Sequence, residues 1–307
     1  MKILFSRWTA GLLVASGLLF LLGHLRPGES TGYSGEYEYE STRRLVGFVE
    51  KASAKVQREG TNAFADFRKP GGDWFKPDAA LYLFVYDTNG LCVFHPIEPG
   101  LEGRNVLNLK DIDGRHEIRG IVGVKSTGWV HFRWIPPGGI FPLWKSCYVE
   151  RTTGPDGRTY LVGSGLYNIK PERLFVRDAV DNAVALIQRD GDKAYDQLRD
   201  SSNGLTFHDN YIFVMTQEGT ALVDPAFPNS RLRNLKDIRD VDGRLVVQEI
   251  LQRLQRKPDA WVMFMWPMPG DVNPSKRIVY ARKVQLGGST IIVGSDYPAP
   301  TPIWMKI

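Results

Sequence analysis

The chain has 307 residues, 43% hydrophobic and 24% charged, an ordinary globular composition with room for two domains of about 100 to 150 residues each. Its formal net charge of +5 comes from lysines and arginines scattered along the chain. Without a basic run or an aromatic-interleaved stripe, that charge argues against a nucleic-acid partner.

At the N-terminus, Lys2 and Arg7 precede a nearly unbroken apolar run from Trp8 to Leu25, closed by Arg26-Pro27. Eighteen helical positions reach about 27 Å, close to a hydrocarbon core of about 30 Å. The run is long for a secretory leader, typically about 7 to 15 apolar residues, and the nearest small-x-small processing site after Leu25, Gly28-x-Ser30, is a poor one. Residues 1–27 are therefore expected to be an uncleaved transmembrane signal anchor, with a removed leader as the alternative. Lys2 and Arg7 hold its start in the cytoplasm. Either way the bulk of the chain lies in the periplasm, single-pass on a bacterial inner membrane if the anchor stays. Residues 28–40, acidic and tyrosine-bearing, read as a polar linker.

From residue 41 to 170 the pattern is helix, hairpin, short helix and three strands. Ser41 and Thr42 can cap a helix with Leu45, Phe48, Val49, Ala52 and Val56 at helical spacing. Two β-rich runs around Asn89-Gly90 predict a hairpin over residues 81–95. A loop with the segment Asn-Leu-Lys-Asp-Ile (108–112), a helix with Ile118, Ile121 and Val122, and strands over 128–134, 145–151 and 160–166 complete the unit.

Residues 171–297 repeat that order. Pro171-Glu172 opens a helix with Leu174, Phe175, Val180, Ala183, Val184 and Ile187, and a hairpin turns at Glu218-Gly219. Asn-Leu-Lys-Asp-Ile returns letter for letter at 234–238, followed by a helix with Val246, Val247, Ile250, Leu251 and Leu254 and strands over 260–266, 277–284 and 290–294. Tyr82-Leu-Phe-Val is echoed by Tyr211-Ile-Phe-Val, Asp113-Gly-Arg by Asp242-Gly-Arg and Val162-Gly-Ser by Val293-Gly-Ser, at offsets of 126 to 131 residues. Solenoid repeats run at roughly 20 to 50 residues, so this period marks a duplicated domain. The expected fold class is α+β, each copy a five-stranded antiparallel sheet with flanking helices. Residues 298–307 form a proline-stiffened tail that ends the chain with no cytoplasmic output module in view.

Chemistry is sparse. Ser164 and Ser295 lack the glycine two residues upstream that a nucleophile elbow needs, the five histidines show no i, i+4 pair, and Asp111-x-Asp113-Gly114 lacks the further oxygen ligands of a calcium loop. No catalytic residue, no metal site, no cofactor and no enzyme activity are expected.

The order of elements, with Tyr82-Leu-Phe-Val-Tyr-Asp-Thr-Asn-Gly90, His95-Pro96, Gly103-Arg-Asn105, Leu109-Lys-Asp-Ile-Asp-Gly114, Lys145-Ser-x-Tyr148 and a closing Val162-Gly-Ser-Gly-Leu-Tyr167, resembles the extracellular Cache family of PAS-like sensor domains. The first repeat matches nearly throughout. The second has Asp224-Pro225 for His-Pro, Lys276-Arg-x-x-Tyr280 for Lys-Ser-x-Tyr and Asp296 for the last Gly. The resemblance implies a sheet order that separates the strands of Cys92 and Cys147 by two others, beyond the Cα separation of under about 7 Å that a disulfide requires, hence two buried thiols. It also implies a pocket between sheet and covering loops that suits a small organic acid. Tyr82, His95, Arg133, Lys145, Tyr148 and Tyr167 could supply its donors. In the second copy, Met263, Met265, Trp266 and Met268 are expected to fill the corresponding space.

Two functions compete. The loop 134–144 is apolar and carries Trp134, Phe141 and Trp144. With Trp266 and Trp304 these are candidate partner contacts. The leading expectation is a non-catalytic accessory subunit docked on an integral membrane protein complex of respiratory or photosynthetic type, packed in the membrane by its N-terminal helix. The rival is a tethered protein that binds a small organic acid for a sensor or transporter.

Overall fold

The computed structural model describes residues 37–76, 80–200, 202, 204–267 and 273–299. The expected anchor (1–27), most of the linker, and the tail from residue 300 with Trp304 lie outside them. Among the described residues no helix is long and apolar enough to cross a membrane.

The first half runs α1 (Glu40–Glu59), α2 (Phe64–Phe67), β1 (Phe75–Lys76), β2 (Leu81–Asp87), β3 (Cys92–Phe94), α3 (Glu117–Gly123), β4 (Thr127–Trp134), β5 (Leu143–Thr153) and β6 (Thr159–Tyr167). The second runs α4 (Arg173–Asp190), α5 (Ala194–Arg199), β7 (Phe213–Thr216), β8 (Ala221–Val223), α6 (Val246–Arg256), β9 (Asp259–Pro267), β10 (Pro274–Leu286) and β11 (Ser289–Pro298). The first sheet has the order β3-β2-β6-β5-β4, with the two-residue β1 also on the free edge of β2. The second repeats it as β8-β7-β11-β10-β9. All pairings are antiparallel. As the resemblance implied, β2 and β6 stand between β3 and β5, and Cys92 and Cys147 are free and buried.

Strand alternation divides the first sheet into two faces. Leu83, Val85, Phe94 and Val162 pack under α1, whose Ala52 and Val56 meet them. Phe84, Tyr86, Phe132, Cys147, Val149 and Leu161 face Ile118 and Ile121 of α3. The second sheet is built likewise, with α4 on one face and Val246, Val247, Ile250 and Leu254 of α6 on the other. The halves meet along an aromatic seam in which His131 stacks on Phe207 at 4.2 Å and Trp129 packs on Phe175 at 4.6 Å.

Three local expectations change. Ser41 and Thr42 do not cap α1: its N-cap is Tyr39, and Thr42 is buried inside the helix. The Glu172 carboxylate takes the amide protons of Glu38 (2.7 Å) and Tyr39 (3.1 Å), so a side chain from the start of α4 holds the two residues that lead into α1. The linker therefore stops short of residue 40. Tyr37 is buried and its hydroxyl accepts from Trp129 Nε1 at 3.1 Å. The literal Asn-Leu-Lys-Asp-Ile repeat is also out of structural register. Asn105, and not Asn108, matches Asn234: each amide side chain donates to the carbonyl at the hairpin turn, of Asn89 or Glu218, and accepts from the backbone two residues on. Asp111 matches Asp240, each carboxylate taking the amides two and four residues ahead and one from β4 or β9. These pairs share an offset of 129, whereas the identical letters stand 126 apart.

Candidate functional site

A small cavity of about 10 Å³ lies between the α3 face of the first sheet and α3 itself, walled by Phe84 and Tyr86 of β2, Phe132 and Trp134 of β4, Ile118 and Ile121. Its polar lining is Lys145, His95 and Glu117.

Lys145 is 2% exposed. Its Nζ donates to Tyr82 Oη at 2.6 Å and lies 4.1 Å, 5.3 Å and 5.5 Å from the ring centres of Tyr82, Tyr167 and Phe84. Among the described residues no carboxylate comes within the 4.0 Å of an ion pair. Gly165 of β6 makes this position possible. A Cβ there would stand 2.9 Å from Lys145 Cε and 2.5 Å from Cys147 Sγ. Burial and the Lys145 charge hold the His95 imidazolium down to about 3. The neutral ring accepts from Glu98 N at Nδ1 (3.0 Å), which leaves its proton on Nε2. Glu98 in turn accepts from Trp134 Nε1 at 3.0 Å. The Tyr82 and Tyr167 hydroxyls are 3.3 Å apart, and burial raises both above the ordinary phenol range.

Glu117 opens α3 and is 2% exposed, yet neither of its carboxylate oxygens has a hydrogen-bond partner of normal geometry. Burial pushes it up to about 7, against the nearby backbone amides of Glu117 and Asp111.

Of the six candidate ligand contacts, His95 and Lys145 line the cavity, and Tyr82 and Tyr167 gather around Lys145 without lining it. Tyr148 does neither, because it is an odd number of residues from Lys145 on β5 and faces α1 beside Tyr37, Leu45 and Val49. Arg133 is separated from the cavity by the same alternation. Its neighbours Phe132 and Trp134 line the wall, while its guanidinium pairs with Asp113 at 2.9 Å and lies 5.1 Å from the Trp144 ring. Glu117 escaped the sequence reading, although a lone acid beside Ile118 and one turn before Ile121 on the apolar side of a helix is a legible signal.

The expected partner contacts sort differently. Trp134 is a cavity wall, and Trp144 is buried, with Arg115 and Arg133 over its ring and His208 stacked at 5.2 Å. Neither stands free as an anchor. Phe141 is 71% exposed and Ile140 78%. Trp266 lines a cavity of about 80 Å³ under the second sheet. That space is not filled by the methionines: Met263 and Met265 are absent from its wall, Met263 is an exposed side chain, and Met268 lies outside the described residues.

The second cavity is apolar apart from Asp224 and Asp296, and register explains its different polarity. Tyr148 faces Ser164 across β5 and β6, and Tyr280 faces Ser295 across β10 and β11. By that register Arg277, and not Lys276, occupies the place of Lys145, and Asp296 that of Gly165. Arg277 and Asp296, both buried, form an ion pair. The second copy thus carries its own carboxylate where the first leaves the cation unanswered.

The first and second halves share one architecture, an antiparallel sheet with helices on both faces and a cavity under one of them. The chain belongs to the Cache domain family, whose pattern matches residues 75–288. It is 25% identical over 184 residues to the methyl-accepting chemotaxis protein McpP of Pseudomonas putida, covering 56% of this chain and 33% of that protein. The chain thus spans about a third of the length of that curated relative. Similar solved structures include a methyl-accepting chemotaxis protein of Vibrio parahaemolyticus (25% identity, TM-score 0.35, 41% of this chain and 88% of that one). Another is the ligand-binding domain of the amino acid chemoreceptor PctB of Pseudomonas aeruginosa with L-Arg (14% identity, TM-score 0.29, 84% and 87%). A third is described as a Cache chemosensory domain recognising carboxylic acids (21% identity, TM-score 0.36, 41% and 91%).

Proposed function

We propose that the chain is a non-catalytic ligand-binding sensory protein, held at the outer face of a bacterial inner membrane by the apolar run at residues 8–25, whose first Cache domain captures a small organic acid. The observation that carries this reading is the buried Lys145 ammonium with no carboxylate partner. An unpaired buried charge costs several kcal/mol, and a ligand carboxylate would supply the counter-ion. His95 shares the cavity lining with Lys145 as a further polar group, while the Tyr82 hydroxyl accepts from the ammonium. The cavity has about 10 Å³ of free space, room for about one water, so the ligand is small and enters only as the wall opens around it. The second domain, its cation already neutralised by Asp296, takes no anion at the matching place. Membership in the Cache family and the chemotaxis relative support a sensory role.

The reading as a docked subunit of a larger membrane assembly is weaker, since Trp134 is engaged by Glu98 and Trp144 by Arg115 and His208 within this chain, leaving Ile135, Ile140, Phe141 and Leu143 as the exposed apolar residues of the loop.

The test is calorimetric titration of the purified chain at pH 7 with short mono- and dicarboxylates. One or more should bind saturably with one site per chain, and Lys145→Met should abolish the signal. Binding untouched by that substitution would refute the site, and a silent panel would refute the function.

A further inference from the structure

The two cavities occupy the same place in the two halves, and the register matches their walls residue by residue. Phe84 faces Gly163 across β2 and β6 as Phe213 faces Gly294 across β7 and β11. Phe132 faces Lys145 as Phe264 faces Arg277, which also matches Trp134 with Trp266. Glu117 opens α3 as Val246 opens α6, so Val247 stands for Ile118. On β7, Met215 stands for Tyr86. The second cavity thus keeps three aromatic side chains of the first and loses a phenol, a carboxylate and a methylene. Free space rises accordingly, from about 10 Å³ to about 80 Å³.

The polar groups that remain in the second wall are already answered. Asp296 is held by Arg277, and Asp224 takes the Phe227 amide (3.0 Å) and the Ser230 hydroxyl (3.0 Å). Two acids against one guanidinium turn an anion away. The rest of the lining is aliphatic and aromatic. Close-packed interiors keep few voids larger than a water molecule, and an apolar void stays dry, so this lining forgoes contacts that an apolar guest would restore. Phe227, Leu235, Ile238 and Trp266 of the wall are only half-buried, which gives a guest a way in past side chains.

We propose that the second domain holds a binding site of its own, for an uncharged apolar molecule of about five heavy atoms or fewer. A cavity of about 150 Å³ takes benzene, and this one has about half that space. The site does not depend on acid capture in the first domain, because its wall shares no residue with the first.

The test titrates isobutanol and furan, with isobutyrate as the charged counterpart, into the purified full chain carrying carbon-13 methionine methyls. Met215 lies in the cavity wall and Met263 is exposed, so the two report the site and the solvent separately. Isobutanol or furan should move the Met215 signal saturably and leave Met263 in place. Isobutyrate should bind at least about 10-fold more weakly, since its charge would be buried without a partner. Lys145→Met should leave the Met215 response as it is. Val246→Phe fills the cavity and should abolish that response. Val247→Ile, which restores the residue of the first domain and is mild enough to fold, should weaken binding about fourfold, the worth of one buried methylene. A Met215 response that is absent or does not saturate, that isobutyrate matches, that Lys145→Met removes, or that survives unchanged in both filled variants overturns the proposal and leaves acid binding in the first domain untouched.

Discussion

Replacing Lys145 with methionine separates a cation awaiting an anion from one that merely finishes the core. In the empty site the ammonium bears a desolvation cost of several kcal/mol. It recovers about 1.5 to 3 kcal/mol from the hydrogen bond to Tyr82 and about 0.5 to 2 kcal/mol from each well-placed ring, of which only Tyr82 is within 4.1 Å. These nearly cancel. Methionine keeps the apolar stem and adds no charge, so the empty variant should be as stable as the wild type or up to about 2 kcal/mol more stable. At about 2 to 4 °C per kcal/mol for a fold of this size, its melting temperature should stay level or rise by up to about 8 °C. With a cognate acid at 100 times its dissociation constant the wild type gains about 2.7 kcal/mol and the variant nothing. The assay is thermal unfolding of both proteins with and without acid. A variant that loses more than about 2 kcal/mol when empty, yet still responds to acid, would show the ammonium to be structurally satisfied and the reasoning wrong.

Importing the second domain's solution should close the first. Gly165→Asp with Cys147→Ala to relieve the 2.5 Å approach to sulfur should give Lys145 an internal partner and abolish acid binding, while Cys147→Ala alone binds as the wild type does. Retained binding in the folded double variant would count against the register argument. Glu117 sets a pH dependence: its carboxyl is raised from about 4.5 to about 7, so the stability it contributes is present below about pH 4.5 and lost as pH rises through 7. Glu117→Leu should therefore gain on the wild type by about 1 to 3 kcal/mol between pH 5 and pH 8 in urea unfolding, and a constant difference would refute the burial of that charge. Phe207→Ala removes the ring that stacks on His131 and meets Phe175 and should cost about 3 to 5 kcal/mol, read as one cooperative transition lost earlier in urea. A cost below 1 kcal/mol would mean that the seam does not couple the halves.

The architecture was legible because alternation and helical spacing are local signals. All six long strands, β4 to β6 and β9 to β11, fall where the periodicity placed them, and the duplication set the topology twice. The letter-for-letter repeat misled in detail. What the chain conserves between its halves is a set of hydrogen-bonding jobs, done by Asn105 with Asn234 and Asp111 with Asp240, and identical letters can sit three positions away from the job. The cap of α1 was illegible because Glu172 lies 133 residues from Tyr39 and reaches it only after folding. Among the candidate ligand contacts, chosen by residue type, Lys145, His95, Tyr82 and Tyr167 lie near one another in the fold. Tyr148 and Arg133 were included by type as well, although strand parity from Lys145 and from Phe132 places them on the other face. Glu117 was missed because an acid at a helix start reads as a solvated end. Only its position against Ile118 and Ile121 betrays that it points inward.

The most direct measurement is a crystal structure of the protein soaked with the short acid that binds most tightly in solution. One acid should lie in the first domain, its carboxylate within about 3 Å of Lys145 Nζ, and none beside Arg277 and Asp296. An acid seated under the second sheet, or Lys145 turned away from it with the first cavity empty, would contradict the account at its centre.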